Sequence, residues 1–127
     1  MSEKSNKKIS PSEAKILHVL WQKQPLSSKQ IAEQLINESW SIVTTKTLIN
    51  RLLKKGYLSY EKKGRQYLYY STITKENYLK IENNNFIKRL YNGSLSGLFA
   101  SFSEHEKISR EELDKIKLII EQIEDNI

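Results

Sequence analysis

The sequence predicts a mainly α-helical fold that contains one small β-hairpin. Three helical segments come first, two aromatic-rich strands follow, and helical periodicity returns in the rest of the chain. The length of 127 residues suits one small domain with an appended segment. The composition is 38% hydrophobic and 28% charged with 4 Gly and 2 Pro, which is typical of a helix-rich globular protein.

A capping sequence marks the start of the first helix. Ser10 precedes Pro11 and stands three residues before Glu13, so Ser10 and Glu13 can form a capping box with Pro at the first helical position. Pro25 ends the run. The apolar positions of this helix are Ile16, Leu17, Val19, Leu20 and Trp21.

A second, shorter helix follows. Either Ser27 or Ser28 restarts the chain, with Gln30 or Ile31 three residues further on, and the helix is expected to end at Asn37. Its apolar positions at helical spacing are Ile31, Ala32, Leu35 and Ile36.

The third helix is expected over residues 41–55, where Gly56 supplies the left-handed residue that commonly follows a helix. Its two sides differ in chemistry at about 100° per residue. One side carries Thr45, Leu48, Ile49 and Leu52. The other carries Val43, Thr44, Thr47, Asn50, Arg51 and Lys54, with Lys46 and Leu53 between the two. The outer side is therefore small, polar and basic.

Two aromatic-rich runs, residues 58–60 and 67–70, are expected to pair as antiparallel strands. Residues 61–66 between them contain Gly64, which can adopt a positive φ at the tip of a hairpin. The same segment contains Lys62, Lys63 and Arg65, so the tip would be basic.

Three more helical segments complete the predicted fold. The first covers residues 74–91 and stops at Asn92-Gly93, the second covers residues 94–103, and residues 104–107 form a polar break. Ser109 and Glu112 make a further capping box before the last helix. The apolar positions of the three segments are Tyr78, Leu79, Ile81, Phe86, Ile87, Leu90, Tyr91, Leu95, Leu98, Phe99, Phe102, Leu113, Ile116, Ile119, Ile120 and Ile123.

Three helices followed by a β-hairpin describe a winged helix-turn-helix. We therefore expect a winged-helix DNA-binding domain over residues 1–73 and a helical dimerization domain over residues 74–127. The dimer is expected because the last two segments carry more apolar surface than two short helices can bury against each other. The expected interface residues are Leu95, Leu98, Phe99, Phe102, Leu113, Ile116, Ile120 and Ile123. The alternative is that these helices fold back onto the winged domain as ordinary core.

The charge distribution favours a polyanionic partner for the first half of the chain. Through Tyr70 there are 13 Lys and Arg against 5 Asp and Glu, whereas from Ser71 onward there are 8 against 10. Lys and Arg release condensed counterions when they bind phosphates, so a basic front half suits double-stranded DNA.

The outer side of the third helix has the chemistry needed to enter a major groove. Thr44, Thr47, Asn50 and Arg51 are short or flexible enough to approach base edges and can exchange hydrogen bonds with them. The residues expected to meet phosphates are Lys54, Lys55, Lys62, Lys63 and Arg65. Two alternatives stay open: an ordinary solvated helix face, and a winged-helix module for protein interaction or non-specific nucleic-acid binding.

Neither an enzyme nor a metal protein is expected. The chain has no Cys, and its two His residues, His18 and His105, lie far apart. It also lacks a Gly-rich phosphate loop and a His paired with a nucleophile and an acid. No cofactor, metal or catalytic residue is therefore predicted.

The sequence predicts a cytoplasmic location. No apolar run approaches the ~20 residues of a bilayer span. Residues 1–8 are polar, unlike the apolar core of a signal peptide. Direct membrane binding is not expected.

Several segments together resemble the BlaI/MecI/CopY family of bacterial regulators, which includes the penicillinase and methicillin-resistance repressors. The resemblance covers nearly the whole chain, and its segments are residues 9–13, 19–21, 44–52, 54–58, 64–65, 67–70 and 86–102. It implies an N-terminal winged helix that binds a palindromic operator and C-terminal helices that form a dimer. It also implies that Thr44, Lys46 and Thr47 read the groove, beside Val43 at a position that is basic in some relatives. The complete set of expected DNA-contacting residues is Ser41, Val43, Thr44, Lys46, Thr47, Asn50, Arg51, Lys54, Lys62, Lys63 and Arg65.

The same resemblance implies a mode of release. Members similar to the β-lactam repressors are inactivated when a membrane sensor-transducer causes proteolysis in the dimerization region, before a Phe that corresponds to Phe102. The matching bond joins Ser101 to Phe102, where relatives carry Asn before the Phe. Copper-responsive members bind metal through C-terminal cysteines, which this chain lacks.

Overall fold

A computed structural model describes residues 7–127, so most of the polar segment 1–8 lies outside the described residues. The elements in chain order are α1 (Pro11–Gln22), α2 (Ser28–Gln34), a 3-10 turn (Ile36–Glu38), α3 (Ile42–Lys55), β1 (Leu58–Lys63), β2 (Gln66–Ser71), α4 (Lys75–Tyr91), α5 (Leu95–His105) and α6 (Arg110–Asp125). The mainly α-helical fold with one hairpin is confirmed.

The chain divides into two compact units between Glu82 and Asn83, within α4. The predicted domain division at residue 73 falls instead between β2 and α4. The physical reason for the difference is that Tyr78 and Ile81, on the first turns of α4, pack against the core formed by the preceding elements.

The first unit encloses a continuous apolar core. Ile16, Leu17, Leu20, Ile31 and Leu52 each have no exposed surface, and together they join α1, α2 and α3. The remaining buried apolar residues are Ile9, Ala14, Leu26, Leu48, Ile49, Tyr57, Leu58 and Ile73. The periodicity of the first three helices thus identified most of this core.

The predicted caps of the first three helices are present. Ser10 and Glu13 form a reciprocal capping box at α1, and Ser27 with Gln30 forms a second one at α2, which resolves the choice between Ser27 and Ser28. Gly56 follows α3 with φ of 85°.

The prediction for one apolar residue of the second helix is wrong. Ile36 was expected to continue the core face of α2, but its side chain is 76% exposed. The α-helix ends at Gln34, and the chain continues as a 3-10 turn from Ile36. The change in helical geometry turns Ile36 out of the line followed by Ile31.

The hairpin is longer and its turn tighter than predicted. The strands pair from Leu58 opposite Ser71 to Lys63 opposite Gln66, which leaves a two-residue turn at Gly64 and Arg65. Gly64 has φ of 63°, the conformation that the first central residue of a tight Gly-X turn requires. The expected six-residue loop is wrong because such a turn matches strand twist and allows pairing up to the tip.

The second unit consists of the end of α4 together with α5 and α6. Asn92 and Gly93, with φ of 52° and 85°, end α4 as predicted. α5 continues to His105, two residues beyond the predicted end. Ser109 accepts a hydrogen bond from the Glu112 N–H at 3.1 Å, which is one half of the expected capping box.

The second unit has no enclosed core of its own, because none of residues 83–127 is buried. Within residues 7–127, no helix has both the length and the apolar character that crossing a bilayer requires.

Candidate nucleic-acid interface

The two sides of α3 have opposite environments. Thr45, Leu48, Ile49 and Leu52 are buried in the first unit, as the periodicity predicted. The expected DNA-contacting residues of the helix and its N-cap are exposed apart from Lys55, which is partly buried. The exposed ones are Ser41, Val43, Thr44, Lys46, Thr47, Asn50, Arg51 and Lys54. The polar and basic side of the helix is therefore available to a partner.

The C-terminal end of α3 is tied to the N-terminal end of α1. Lys55 Nζ lies 2.7 Å from Glu13 Oε1 and also donates to the Lys8 carbonyl at 2.8 Å. Tyr57, just beyond α3, donates its hydroxyl to the carbonyl of Lys7. Lys55 thus has a structural partner within the first unit, and its expected contact with phosphate stays a prediction.

Glu13 is the buried member of this connection. Its side chain is 1% exposed, and burial by itself raises the pKa of a carboxyl group. Hydrogen bonds from Lys55 and Ser10, with the positive charge of Lys55, outweigh burial and lower the pKa of Glu13 below its ordinary 4.5. Glu13 therefore stays ionised and holds α3 in a fixed position relative to α1.

The hairpin presents the predicted basic tip. Lys62, Lys63 and Arg65 are exposed, and Lys62 Nζ lies 5.9 Å from the centre of the Tyr67 ring. The Tyr60 and Tyr67 rings pack edge to face at 4.8 Å. Leu26 and Tyr69 pair through two backbone hydrogen bonds, which fix the hairpin against the segment before α2.

An open cavity of about 400 Å³ lies between α2, α3 and the hairpin. It brings together three of the predicted residues, Lys46, Asn50 and Arg65. Further lining residues, which the sequence analysis did not select, include Ser27, Ser28, Lys29, Tyr67 and Tyr69. The sequence contained one signal that could have identified Lys29, namely its basic side chain in the first turn of the second helix. Three cationic side chains make this cavity suitable for an anionic group such as a backbone phosphate.

The hydroxyl groups of α3 do not point freely outward. Thr47 Oγ1 donates to the Val43 carbonyl at 2.9 Å. Thr44 Oγ1 lies 3.2 Å from Ser41 Oγ, which also accepts the Thr44 N–H at 3.1 Å. Asn50 and Arg51 make no side-chain hydrogen bond or ion pair with any other residue in 7–127.

The predicted interface residues lie in the second unit and fall into two groups. Leu95, Phe99, Phe102, Ile120 and Ile123 are between 45% and 58% exposed. Leu98, Leu113 and Ile116 are half-buried. Leu98 and Ile116 line an apolar groove of about 610 Å³ between α5 and α6. The Ser101–Phe102 bond lies inside α5.

Neither histidine lies in a group of side chains that could bind a metal ion, within the described residues 7–127. The His18 ring packs edge to face against Trp21 at 5.1 Å, and His105 is an exposed residue at the end of α5. Over the described range 7–127, three or more His, Cys, Asp or Glu side chains nowhere gather as a metal site would require.

The chain is similar to known repressors over most of its length. The penicillinase repressor family model matches residues 9–122. The penicillinase repressor of Bacillus licheniformis is 31% identical over 115 residues, 90% of each chain. The methicillin resistance regulatory protein MecI of Staphylococcus aureus (strain N315) is 31% identical over 113 residues, 88% of this chain and 92% of that protein.

A solved structure supports the fold assignment. The solution structure of the DNA-binding domain of the repressor BlaI superposes with a TM-score of 0.51 and 32% identity, covering 57% of this chain and 93% of that domain. The winged helix-turn-helix expected from the order of elements is thereby confirmed. This chain belongs to the penicillinase repressor family, a family of transcriptional repressors and not of enzymes.

Proposed function

We propose that this protein is a homodimeric repressor that binds a palindromic operator in double-stranded DNA, of a β-lactam-resistance operon or a related one. The observation that carries the proposal is the exposed side of α3 in a member of this family. Apart from Val43, that side is polar and basic over three turns, while the opposite side is buried and holds the helix in place. A helix of this kind fits the major groove.

The positions of the basic residues support contact with the DNA backbone beside α3. Lys29, Lys46 and Arg65 converge on one cavity beside the helix. Lys62 and Lys63 extend this positive surface along the hairpin. Such contacts position a protein on the duplex, while the residues in the groove select the sequence.

The second unit supports the dimer. Leu113, Ile116, Ile120 and Ile123 recur at alternating intervals of three and four residues along α6, the spacing of a helix seam that packs against another helix. Because this unit has no buried residue within 83–127, a second copy of the chain is the cover that its apolar residues require. Two-fold symmetry would place two α3 helices about 34 Å apart, or a multiple of it, on inverted half-sites.

Release by proteolysis at Ser101–Phe102 is part of the proposal, with a membrane sensor-transducer as the upstream partner and the cytoplasm as the location. The bond lies in α5, so cleavage requires local unwinding of that helix. Cutting there would separate α6 from the DNA-binding unit. A bivalent binder would become two monovalent ones, with an affinity loss of ~10² or more.

Binding to the protein's own upstream DNA and to a scrambled duplex, measured by fluorescence anisotropy across a salt series, tests the proposal. We expect a specificity ratio of ~10³ or more and a steep loss of affinity with salt. A ratio near one at every salt concentration would refute sequence-specific operator binding and favour a non-specific nucleic-acid-binding module.

A further inference from the structure

The first turn of α3 exposes two apolar side chains, one of which, Val43, lies on the side of the helix that was expected to contact DNA. Val43 is 68% exposed and Ile42 is 42% exposed. Both precede the basic part of the helix, and Val43 lies on the side that the proposed function places in the major groove.

The threonines beside Val43 direct their hydroxyl groups back to the helix. The Thr47 hydroxyl donates to the Val43 carbonyl, and the hydroxyls of Thr44 and Ser41 pair with each other at the N-cap. A hydroxyl has a single hydrogen, so Thr47 has none left to donate to a base. Each threonine also carries a methyl group, and both side chains are exposed, so these methyl groups are accessible to a partner.

Val43, Thr44 and Thr47 therefore form a compact group of methyl-bearing side chains. Residues 43 and 47 are four apart and residues 44 and 47 are three apart, so Thr47 neighbours both Val43 and Thr44 on the helix surface. Asn50 and Arg51 lie about one turn beyond Thr47 and make no side-chain hydrogen bond with the other residues in 7–127.

Among the four bases, only thymine presents a methyl group to the major groove, at C5. An apolar side chain gains by removing this methyl from water, and it gains nothing comparable from cytosine, whose C5 carries hydrogen. We propose that Val43, flanked by the methyl groups of Thr44 and Thr47, selects thymine in each operator half-site by contact with the C5 methyl group of that base. This proposal rests on the proposed function.

The test begins with selection of duplexes from a random library by the full-length protein, followed by single replacements of thymine by deoxyuridine in the selected half-site. Deoxyuridine removes only the methyl group. At one thymine position or more, we expect a loss of about fourfold in affinity for each half-site altered. Cytosine at that position should also weaken binding, and 5-methylcytosine should recover most of the loss.

Matched variants assign the contact to Val43. Val43→Ala should reduce the thymine-to-deoxyuridine ratio at one position to about one, whereas Val43→Ile should retain it. Because Val43 is largely exposed, both variants should keep the melting temperature of the unaltered protein, so a changed ratio would report the contact and not a loss of folding.

Each outcome separates the two proposals. Selection of no preferred sequence would refute operator binding and, with it, thymine selection. A preferred sequence in which deoxyuridine equals thymine at every position would overturn thymine selection and leave operator binding intact. A ratio that is unchanged in Val43→Ala would overturn the role of Val43.

Discussion

The two units of this protein differ in how completely they enclose their own apolar residues. The first unit buries side chains from α1, α2, α3 and β1 around one core. The second unit, over residues 83–127, buries none, although α6 has a stronger division into apolar and polar sides than α1. Amphipathic helices thus do not by themselves produce a core, since each apolar side needs another surface to cover it.

This contrast connects structure to the proposed function. A helix that reads DNA must keep its position when its outer side binds the duplex. The buried inner side of α3 and the Lys55–Glu13 connection at its end can hold it there. A unit that brings two chains together must instead keep apolar surface available before assembly.

Truncation of a fully buried leucine in the first unit is expected to have the largest effect. Leu20→Ala should reduce the free energy of unfolding by ~2–5 kcal/mol, because it removes a well-packed side chain and leaves a cavity. The matched control is Leu118→Ala on α6, where the leucine is 56% exposed and the change should stay within ~0.5 kcal/mol. Urea unfolding at one fixed protein concentration measures both, and equal losses would contradict the contrast between the units.

A charge on the seam of α6 should separate the proposed dimer. Ile123→Asp is expected to weaken self-association by ~30-fold or more, since it places a carboxylate in an apolar contact. Leu118→Asp is the control, because residue 118 lies on the opposite side of the helix at about 100° per residue. Sedimentation velocity over a dilution series gives the dissociation constants. A dimer unaffected by Ile123→Asp would mean that the apolar side of α6 has another role.

Removal of the charge at Glu13 tests how α3 is anchored. Glu13→Gln should lower the free energy of unfolding by ~1–3 kcal/mol, because Lys55 loses its charged hydrogen-bond partner. In the unaltered protein this contribution is fully present above pH 4.5, the ordinary pKa, and is lost as the pH falls through the lower pKa of the folded state. Urea unfolding between pH 7 and pH 3 should therefore show a steeper acid-side loss for the unaltered protein than for Glu13→Gln; parallel curves would contradict it.

The smallest effects distinguish groove residues from backbone contacts within the first unit. Lys63→Ala should weaken binding by ~0.5–1 kcal/mol equally on operator and scrambled duplex and reduce the salt slope by about 1. Arg51→Ala should weaken operator binding more than scrambled binding, by ~1–3 kcal/mol. Anisotropy titrations at several salt concentrations measure the difference, and identical behaviour of the two variants would show that α3 does not read the groove.

Much of the fold follows from local signals in the sequence. The capping box of Ser10 with Glu13, the left-handed Gly56 and the 3.6-residue spacing of Leu48 and Leu52 all act within one or two turns, so neighbouring residues are sufficient to predict them. The hairpin was recognised from its aromatic runs and Gly64, although its turn is shorter than expected.

The choice among the possible partners of each side chain depended on the tertiary structure. Glu13 was predicted as a cap, but its pairing with Lys55 joins residues 42 positions apart, a contact that no local pattern contains. Ile36 has core periodicity and still points outward, because the α-helix ends before it. The sequence alone determined the elements, the basic first half and the family resemblance, since these follow from composition and short-range spacing. Only the tertiary structure decided which cations converge on one cavity and which apolar residues stay uncovered, because burial and long-range pairing depend on the packing of the whole chain.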